Sequence, residues 1–327
     1  MLNGSTERVY NLGFQSNLTF HQIATDGGLL DAPVGLTRLR LAPGERAEIL
    51  VDLSILQGQT INLMSFGSEL SSGIYGAANP SAMPMGSIAG YSNNPLNGSN
   101  FNVLQLNVIA PTTNAVMTIP SALVTNTPYS SSTSNITRSL TFSPAQMGAT
   151  GMVNGPFEIN NSSFDMNVIN YNIPLNNTEI WSLNNQTGIA HPFHIHDVQF
   201  FILDINGVAP PTNMQGRKDV VLVPAQQTVR FITKFEDFAD STVSYMYHCH
   251  MLGHEDGGLM GNWIVVDPMT VSTEEPLADF EWSMVPNPTA GLVQINAQLK
   301  AATEIRLEVF SIAGKSVFNI SEKTDIF

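Results

Sequence analysis

The chain has 327 residues, a formal net charge of −14, 43% apolar residues and only 12% charged ones. That is enough apolar chain for two or three domains with real cores, and too much for disorder. The acidic balance excludes nucleic-acid binding, which needs basic patches, and a single cysteine excludes an intrachain disulfide framework. No apolar run reaches the ~18 residues of a membrane span. Met1–Glu7 does not lead from basic residues into an apolar stretch, so no signal peptide is read there.

Abundant Asn, Ser and Thr, with 25 Gly and 19 Pro, fit short strands joined by turns. In chain order, strands are expected at Leu18 to Ala24, at Leu36 to Leu41 and at Arg46 to Leu53, where Ala47, Ile49, Val51 and Leu53 share a face. Asp26-Gly27-Gly28 and Pro43-Gly44-Glu45 read as turns. Ser71 to Asn102 reads as a long irregular loop, and Leu104 to Val108 as a further strand. Residues 1–111 thus form one β region, and 112–137 a polar connection. A second β region, 138–267, holds Glu179–Leu183, Val198–Leu203, Val220–Val223, Val229–Phe235 and Asn262–Val266. Strands spaced this regularly predict an all-β chain with an antiparallel Greek-key sandwich. Residues 268–281 read as a linker, and 282–327, with the alternating run Glu304 to Phe310, as the opening of a small third β domain.

Six of the seven histidines and the only cysteine fall in His191-Pro192-Phe193-His194-Ile195-His196 and His248-Cys249-His250-Met251-Leu252-Gly253-His254. Imidazoles around a thiolate are borderline-to-soft metal ligands, and this set points to copper, at more than one site. Two imidazoles and a thiolate make a type-1 copper plane, which His191, Cys249 and His254 can supply. In a strand, alternate residues share a face. His194 and His196 therefore point one way, as do His248 and His250, while Cys249 points to the opposite face. One strand can hold a type-1 copper on one face and offer two histidines to a second metal on the other. The competing metal reading, a structural zinc site, accounts for three or four ligands but not for six histidines split between two faces.

These motifs resemble those of the multicopper oxidases, the family of laccases, bilirubin oxidases and cuprous oxidases. Their C-terminal cupredoxin domain carries motifs like these in this order. The resemblance spans residues 1–267 and implies cupredoxin-like Greek-key sandwiches, a partial middle domain over 1–111 and a complete C-terminal domain over 138–267. It implies His191, Cys249 and His254 as type-1 ligands, His194 as a type-2 ligand, and His196, His248 and His250 as type-3 ligands. In the family, four coppers take electrons singly from a reducing substrate at type 1 and reduce dioxygen to water at a trinuclear cluster. The partners implied are dioxygen and a small-molecule or metal-ion reductant.

Two departures from the family pattern matter. The axial position falls on Leu259, with Met260 one residue further; a one-residue slip turns a side chain to the other face. Leu259 is therefore expected to face copper without bonding it, with Met260 as the alternative. The family's cluster takes eight histidines, four of them from a first domain, and this chain offers four. His21 resembles a structural histidine of the middle domain. The chain is thus expected to be a fragment whose oxygen site is completed by a missing N-terminal cupredoxin domain, and to be inactive alone.

Glu255 is a candidate proton relay, as an acidic residue at this place is in the family. Asp219 is read as fixing a turn or a histidine. No carboxylate or thioether stands in Asn185–Ala190, and Met147 and Met152 are read as core packing. The expected donor is a phenol or aromatic amine. The alternatives are a cuprous oxidase acting in copper tolerance, or an electron-transfer or copper-binding cupredoxin without oxygen chemistry. In the tail, Val285-Pro286-Asn287-Pro288-Thr289 and Leu307 to Lys315 resemble the C-terminal sorting domain of type IX secretion substrates, truncated at Phe327. That implies a bacterium with an outer membrane and export to its surface or medium, with the periplasm as the alternative.

Overall fold

The computed structural model describes residues 1–84, 86–267, 280–285, 291–299, 304–310 and 316–323. Residues 1–267 make one compact unit and 268–327 another. The first unit opens with β1 (Tyr10–Phe14), β2 (Phe20–Thr25), β3 (Gly28–Leu36), β4 (Leu39–Leu41), β5 (Glu48–Val51), β6 (Thr60–Phe66) and β7 (Asn100–Asn107). They form two sheets, ordered β4-β1-β6-β7 and β3-β2-β5. Leu12, Phe14, Phe20, Leu39, Leu41, Ala47 and Leu63 fill this first sandwich, with Ile49 and Val51 packed against them.

The second sandwich is built from β8 (Ile136–Pro144), α1 (Gly151–Asn154), β9 (Phe157–Ile159), β10 (Tyr171–Pro174), β11 (Thr178–Asn185), β12 (His191–Ile195), β13 (Phe200–Ile205), β14 (Val220–Val223), β15 (Thr228–Lys234), β16 (Tyr245–Cys249), α2 (Leu252–Asp256) and β17 (Met260–Val266). Its five-stranded sheets run β10-β17-β16-β12-β14 and β13-β15-β11-β8-β9. Trp181, Trp263, Phe193, Phe231, Tyr247 and their neighbours pack between them, and Cys249 and Leu259 belong to the same core. Each fully buried large side chain there contributes about 1.5–3 kcal/mol.

Several elements differ from expectation. The second sandwich is not wholly antiparallel: β10 pairs parallel with β17, and β11 parallel with β8. Each of these pairs is joined by a long excursion rather than a hairpin, and such excursions permit parallel neighbours. β8 begins at Ile136, inside the expected connection, because Asn135 and Ile136 already bond alongside β11. The run Leu36 to Leu41 is split between β3 and β4. β3 itself was hidden by Pro33, which an edge strand tolerates.

A small apolar joint, Val9, Ala42 and Ile74 against Ala190 and Leu222, connects the two sandwiches. Beside it Lys218 is buried between Asp26 (2.8 Å) and Glu45 (3.2 Å). In the second unit, β18 (Phe280–Val285) pairs with β19 (Gln294–Leu299), and β20 (Glu304–Phe310) with β21 (Ser316–Lys323), both antiparallel. The expected linker lies outside the described residues up to 279, and Phe280 and Glu281 are already strand. Of the sorting-domain motifs, Pro286–Thr289 and Ser311–Lys315 lie outside the described residues. No helix among the described residues is long and apolar enough to cross a membrane.

Candidate metal centres

β12 lies between β14 and β16. Across β12 and β16, Phe193 stands opposite Cys249 and His194 opposite His248. Opposed residues share a face and successive residues alternate. His191, Phe193 and Ile195, with Tyr247 and Cys249, therefore turn into the core, where all five are buried. His194 and His248 turn to the reverse face. His196 follows β12 and His250 follows β16.

On the core side, α2 folds His254 back onto the strand pair. His191 Nδ1 and His254 Nδ1 are 3.0 Å apart, and each is 3.7 Å from Cys249 Sγ. Phe157 packs its edge on both imidazoles at 4.7 Å between ring centroids. His191 Nε2 lies 2.8 Å from Thr187 Oγ1. A neutral His191 that keeps Nδ1 free for a cation carries its proton on Nε2 and donates it to Thr187. Thr187 is held in turn by Asn185, whose Oδ1 accepts the Thr187 amide at 2.9 Å.

Burial pushes the His191 imidazole well below its ordinary range, and the nearby His254 adds to this. Burial likewise pushes His254 down to about 4. It pushes the Cys249 thiol up, although the Met251 amide donates to the sulfur at 3.4 Å. Two neutral imidazoles and a thiol that ionises only against a cation fit a borderline-to-soft metal, as copper is.

A small void beside the triad is bounded by Phe142, Ile159, His191, Phe193, Cys249 and Leu259. Leu259, 1% exposed, thus stands against the triad. Met260 lies opposite His248 in register and so projects from the reverse face.

On that face, His194, His196 and His248 bring one ring nitrogen each within 4.8 Å of one another. His196 Nε2 and His248 Nε2 are 3.2 Å apart. His250 stands outside this trio, its ring centroid 5.7 Å from His248 and 5.8 Å from His194. Burial lowers His194, and lowers His196 to about 4 with help from the neighbouring histidines. His194 Nδ1 is 2.8 Å from the Asp219 carbonyl, which fixes its proton on Nδ1 and leaves Nε2 free. The group opens on a cleft of about 400 Å³ lined by His194, His196, Asp197, Gln199, Asp219 and Tyr245.

Glu255, on α2, places Oε2 3.3 Å from His248 Nδ1, which also lies 3.0 Å from the Cys249 carbonyl. Asp219 serves His194 through its carbonyl, while its carboxylate pairs with Arg46. His21 lies in β2, outside both donor groups. Met147 is 85% exposed, so the core-packing reading fails for it: it stands in the polar stretch between β8 and α1.

Sequence reasoning missed Thr187, Asn185, Gly44 and Arg46. Thr187 and Asn185 were in view in the segment before His191, where a hydroxyl and an amide four and six residues ahead of a ligand were the only signal. The first sandwich also brings distant residues to the triad's surroundings. Glu7 lies against Gly253, and Met83 against Gly188.

A buried His–Cys–His triad on one face of a strand pair, with a histidine group on the other, within paired β-sandwiches, defines a cupredoxin-like copper protein. Residues 131–269 match the family model described as multicopper oxidase. A multicopper oxidase (mco) of Staphylococcus haemolyticus is 33% identical over 266 residues, which are 80% of this chain and 46% of that protein. A laccase of Bacillus subtilis is 27% identical over 82% of this chain and 50% of its own length. The solved structure of CueO, a laccase-like multicopper oxidase of Ochrobactrum sp., superposes with a TM-score of 0.66 at 28% identity, covering 81% of this chain and 54% of that one. The chain belongs to the multicopper oxidase family, whose cofactor is copper. It spans about half the length of the curated relatives it matches.

Proposed function

We propose that this chain supplies the electron-uptake site and half of the dioxygen site of a copper-dependent oxidase. The observation that carries the reading is the back-to-back placement of the two donor groups: Cys249 faces the core while its neighbours His248 and His250 serve the reverse face. Copper, when bound, supplies reversible one-electron chemistry at both places. His191, Cys249 and His254 would hold it on the core side, and His194, His196, His248 and His250 on the reverse side.

The chain's own groups divide the work. Phe157, Phe142 and Leu259 keep water from the triad, so an electron passes without a ligand gaining access. The backbone between Cys249 and each flanking histidine is the shortest covalent path to the reverse face. The cleft beside His194 and His196 admits a small molecule such as dioxygen. Glu255 is placed to hold a proton at Oε2 beside His248 and release it toward the reverse face. Partner donors for the open histidine group are assigned to a further cupredoxin domain of the same protein.

For the donor we favour a phenol or aromatic amine. Met83 beside Gly188 and the partly buried Met152 give the alternative, a cuprous ion, a specific footing, since the Gly188 amide bonds the Met152 carbonyl three residues before His191. An electron-transfer protein without oxygen chemistry would leave the reverse-face histidines without a use. The tail motifs support export to the cell surface.

Copper titration of this chain tests the reading. One copper should bind tightly with an intense sulfur-to-copper absorption that Cys249→Ser abolishes. A second should bind weakly at the histidines, without dioxygen uptake. A tight site that survives Cys249→Ser would overturn the assignment. Turnover of a phenol against Cu(I) by the oxidase that carries this chain decides the donor; faster Cu(I) turnover would overturn our preference.

A further inference from the structure

The first sandwich holds none of the clustered ligands, yet its turn between β4 and β5 reaches the reverse-face histidines. Gly44, in Ala42-Pro43-Gly44-Glu45-Arg46, has φ +83, and a Cβ there would stand 2.5 Å from His250 Cδ2 and 2.8 Å from Cγ and Nε2. The His250 ring therefore rests directly on the Gly44 backbone. Two residues on, Arg46 grips Asp219 with both ends of its guanidinium, Nη1 to Oδ1 at 2.5 Å and Nη2 to Oδ2 at 2.7 Å. It is Asp219 whose carbonyl bonds His194 Nδ1.

The turn itself is clamped. Arg46 Nη2 donates to the Asp26 carbonyl at 2.8 Å, the Arg46 amide to Asp26 Oδ1 at 2.7 Å, and the Ala42 amide to Glu45 Oε2 at 2.7 Å. Asp26 and Glu45 in turn share the buried Lys218, next to Asp219. Every link is a charge-assisted or main-chain bond of fixed direction. Neither Gly44 nor Arg46 offers a metal donor, so their contribution is orientation.

We propose that Gly44 and Arg46 are positioning residues for the reverse-face metal site: Gly44 sets the plane of the His250 ring, and Arg46, through Asp219, sets the direction of His194. The inference rests on the copper reading of these histidines. It makes the first sandwich part of the metal centre, not a spacer. Groups that orient ligands typically change metal affinity by about 10–100-fold when removed.

The experiment is a Cu(II) titration of the full chain, read by EPR for the histidine-bound copper and by visible absorption for the Cys249 copper. Gly44→Ala should weaken histidine-site binding at least tenfold and leave the Cys249 absorption unchanged. Gly58→Ala is the control: Gly58 has φ +80 but nothing within 4 Å of a Cβ, so it carries the same backbone strain without a ring contact. It should lower Tm and leave both copper signals as in wild type. Arg46→Met should weaken the histidine site about tenfold, with Arg46→Lys between it and wild type, and it keeps the test alive if Gly44→Ala does not fold. Equal losses in Gly44→Ala and Gly58→Ala, or unchanged histidine-site binding in Arg46→Met, would reduce the contacts to ordinary joint packing. Absence of any histidine-bound copper in the wild-type chain would instead overturn the copper reading, and the inference with it.

Discussion

Exchanging Leu259 for methionine, and separately Met260 for leucine, decides which side chain meets the metal at Cys249. Leu259 is 1% exposed, packs in the core of the second sandwich and bounds the void shared by His191 and Cys249. Truncation to alanine should cost about 2–5 kcal/mol and, in a unit of this size, lower Tm by roughly 5–15 °C. Leu259→Met nearly conserves volume and should cost under about 1.5 kcal/mol. Its thioether would extend toward the triad, where a weak axial sulfur tunes the reduction potential; we expect a shifted absorption band and a lower potential. Met260 shares a face with His248, so Met260→Leu should change neither. Absorption, EPR and a mediated redox titration of the copper-loaded chain read all three variants. A changed spectrum in Met260→Leu with none in Leu259→Met would refute the register argument.

Copper binding at Cys249 should release about one proton near neutral pH, because burial holds the thiol protonated and both imidazoles neutral; calorimetry in buffers of different ionisation enthalpy reads this, and zero release would mean a preformed thiolate. His254, held at about 4 against 6.5 for a free imidazole, lets the unfolded chain bind the extra proton, so stability rises with pH across that window. From His254 alone the metal-free chain should therefore lose about 3 kcal/mol as pH falls from 6.5 to 4, with the other depressed imidazoles adding in the same direction, and a flat denaturation midpoint over that window would contradict it. On the proposed oxidase reading, Glu255→Gln in the full-length protein should lower turnover by about 10²-fold or more with copper content unchanged; unaltered turnover would remove the relay. Arg138→Met should cost about 3–5 kcal/mol, since it strands the fully buried Glu179 carboxylate now held at 2.5 and 2.7 Å; a loss under about 1 kcal/mol in urea would show that water reaches Glu179.

The ligand-bearing strands were legible because period-two alternation is a local property. That His194 shares a face with His196, and His248 with His250 while Cys249 faces the other way, follows from chain geometry alone; that His194 and His248 share one face is set by the register of β12 on β16. Strands with continuous apolar runs, such as Val220–Val223, were equally plain. What could not be read were strands with polar or turn-forming residues inside them: β1 with Asn11 and Gly13, β3 with Pro33, β10 with Asn172 and Pro174. Their membership is decided by neighbours across the sheet. The same holds for the supporting residues. Gly44 and His250 are far apart in sequence, and nothing in Pro-Gly-Glu announces an imidazole resting on it.

The two faces of the β12–β16 pair differ in more than direction. The core face is sealed between two sheets, where burial is the main force that keeps imidazoles neutral and a thiol protonated. The reverse face is partly open on a cleft, and it is positioned from outside its own sandwich through Gly44 and through Arg46 on Asp219. A site that passes electrons gains from rigidity and exclusion of water, which a sandwich core already provides. On the proposed reading the reverse-face site must admit a small molecule and cannot be sealed in this way, so its order comes from another part of the chain. The joint between the sandwiches, with Lys218 buried between Asp26 and Glu45 and Arg46 fixed on Asp219, is the element that supplies it. If so, weakening that joint should disturb the histidine group before it disturbs the Cys249 triad.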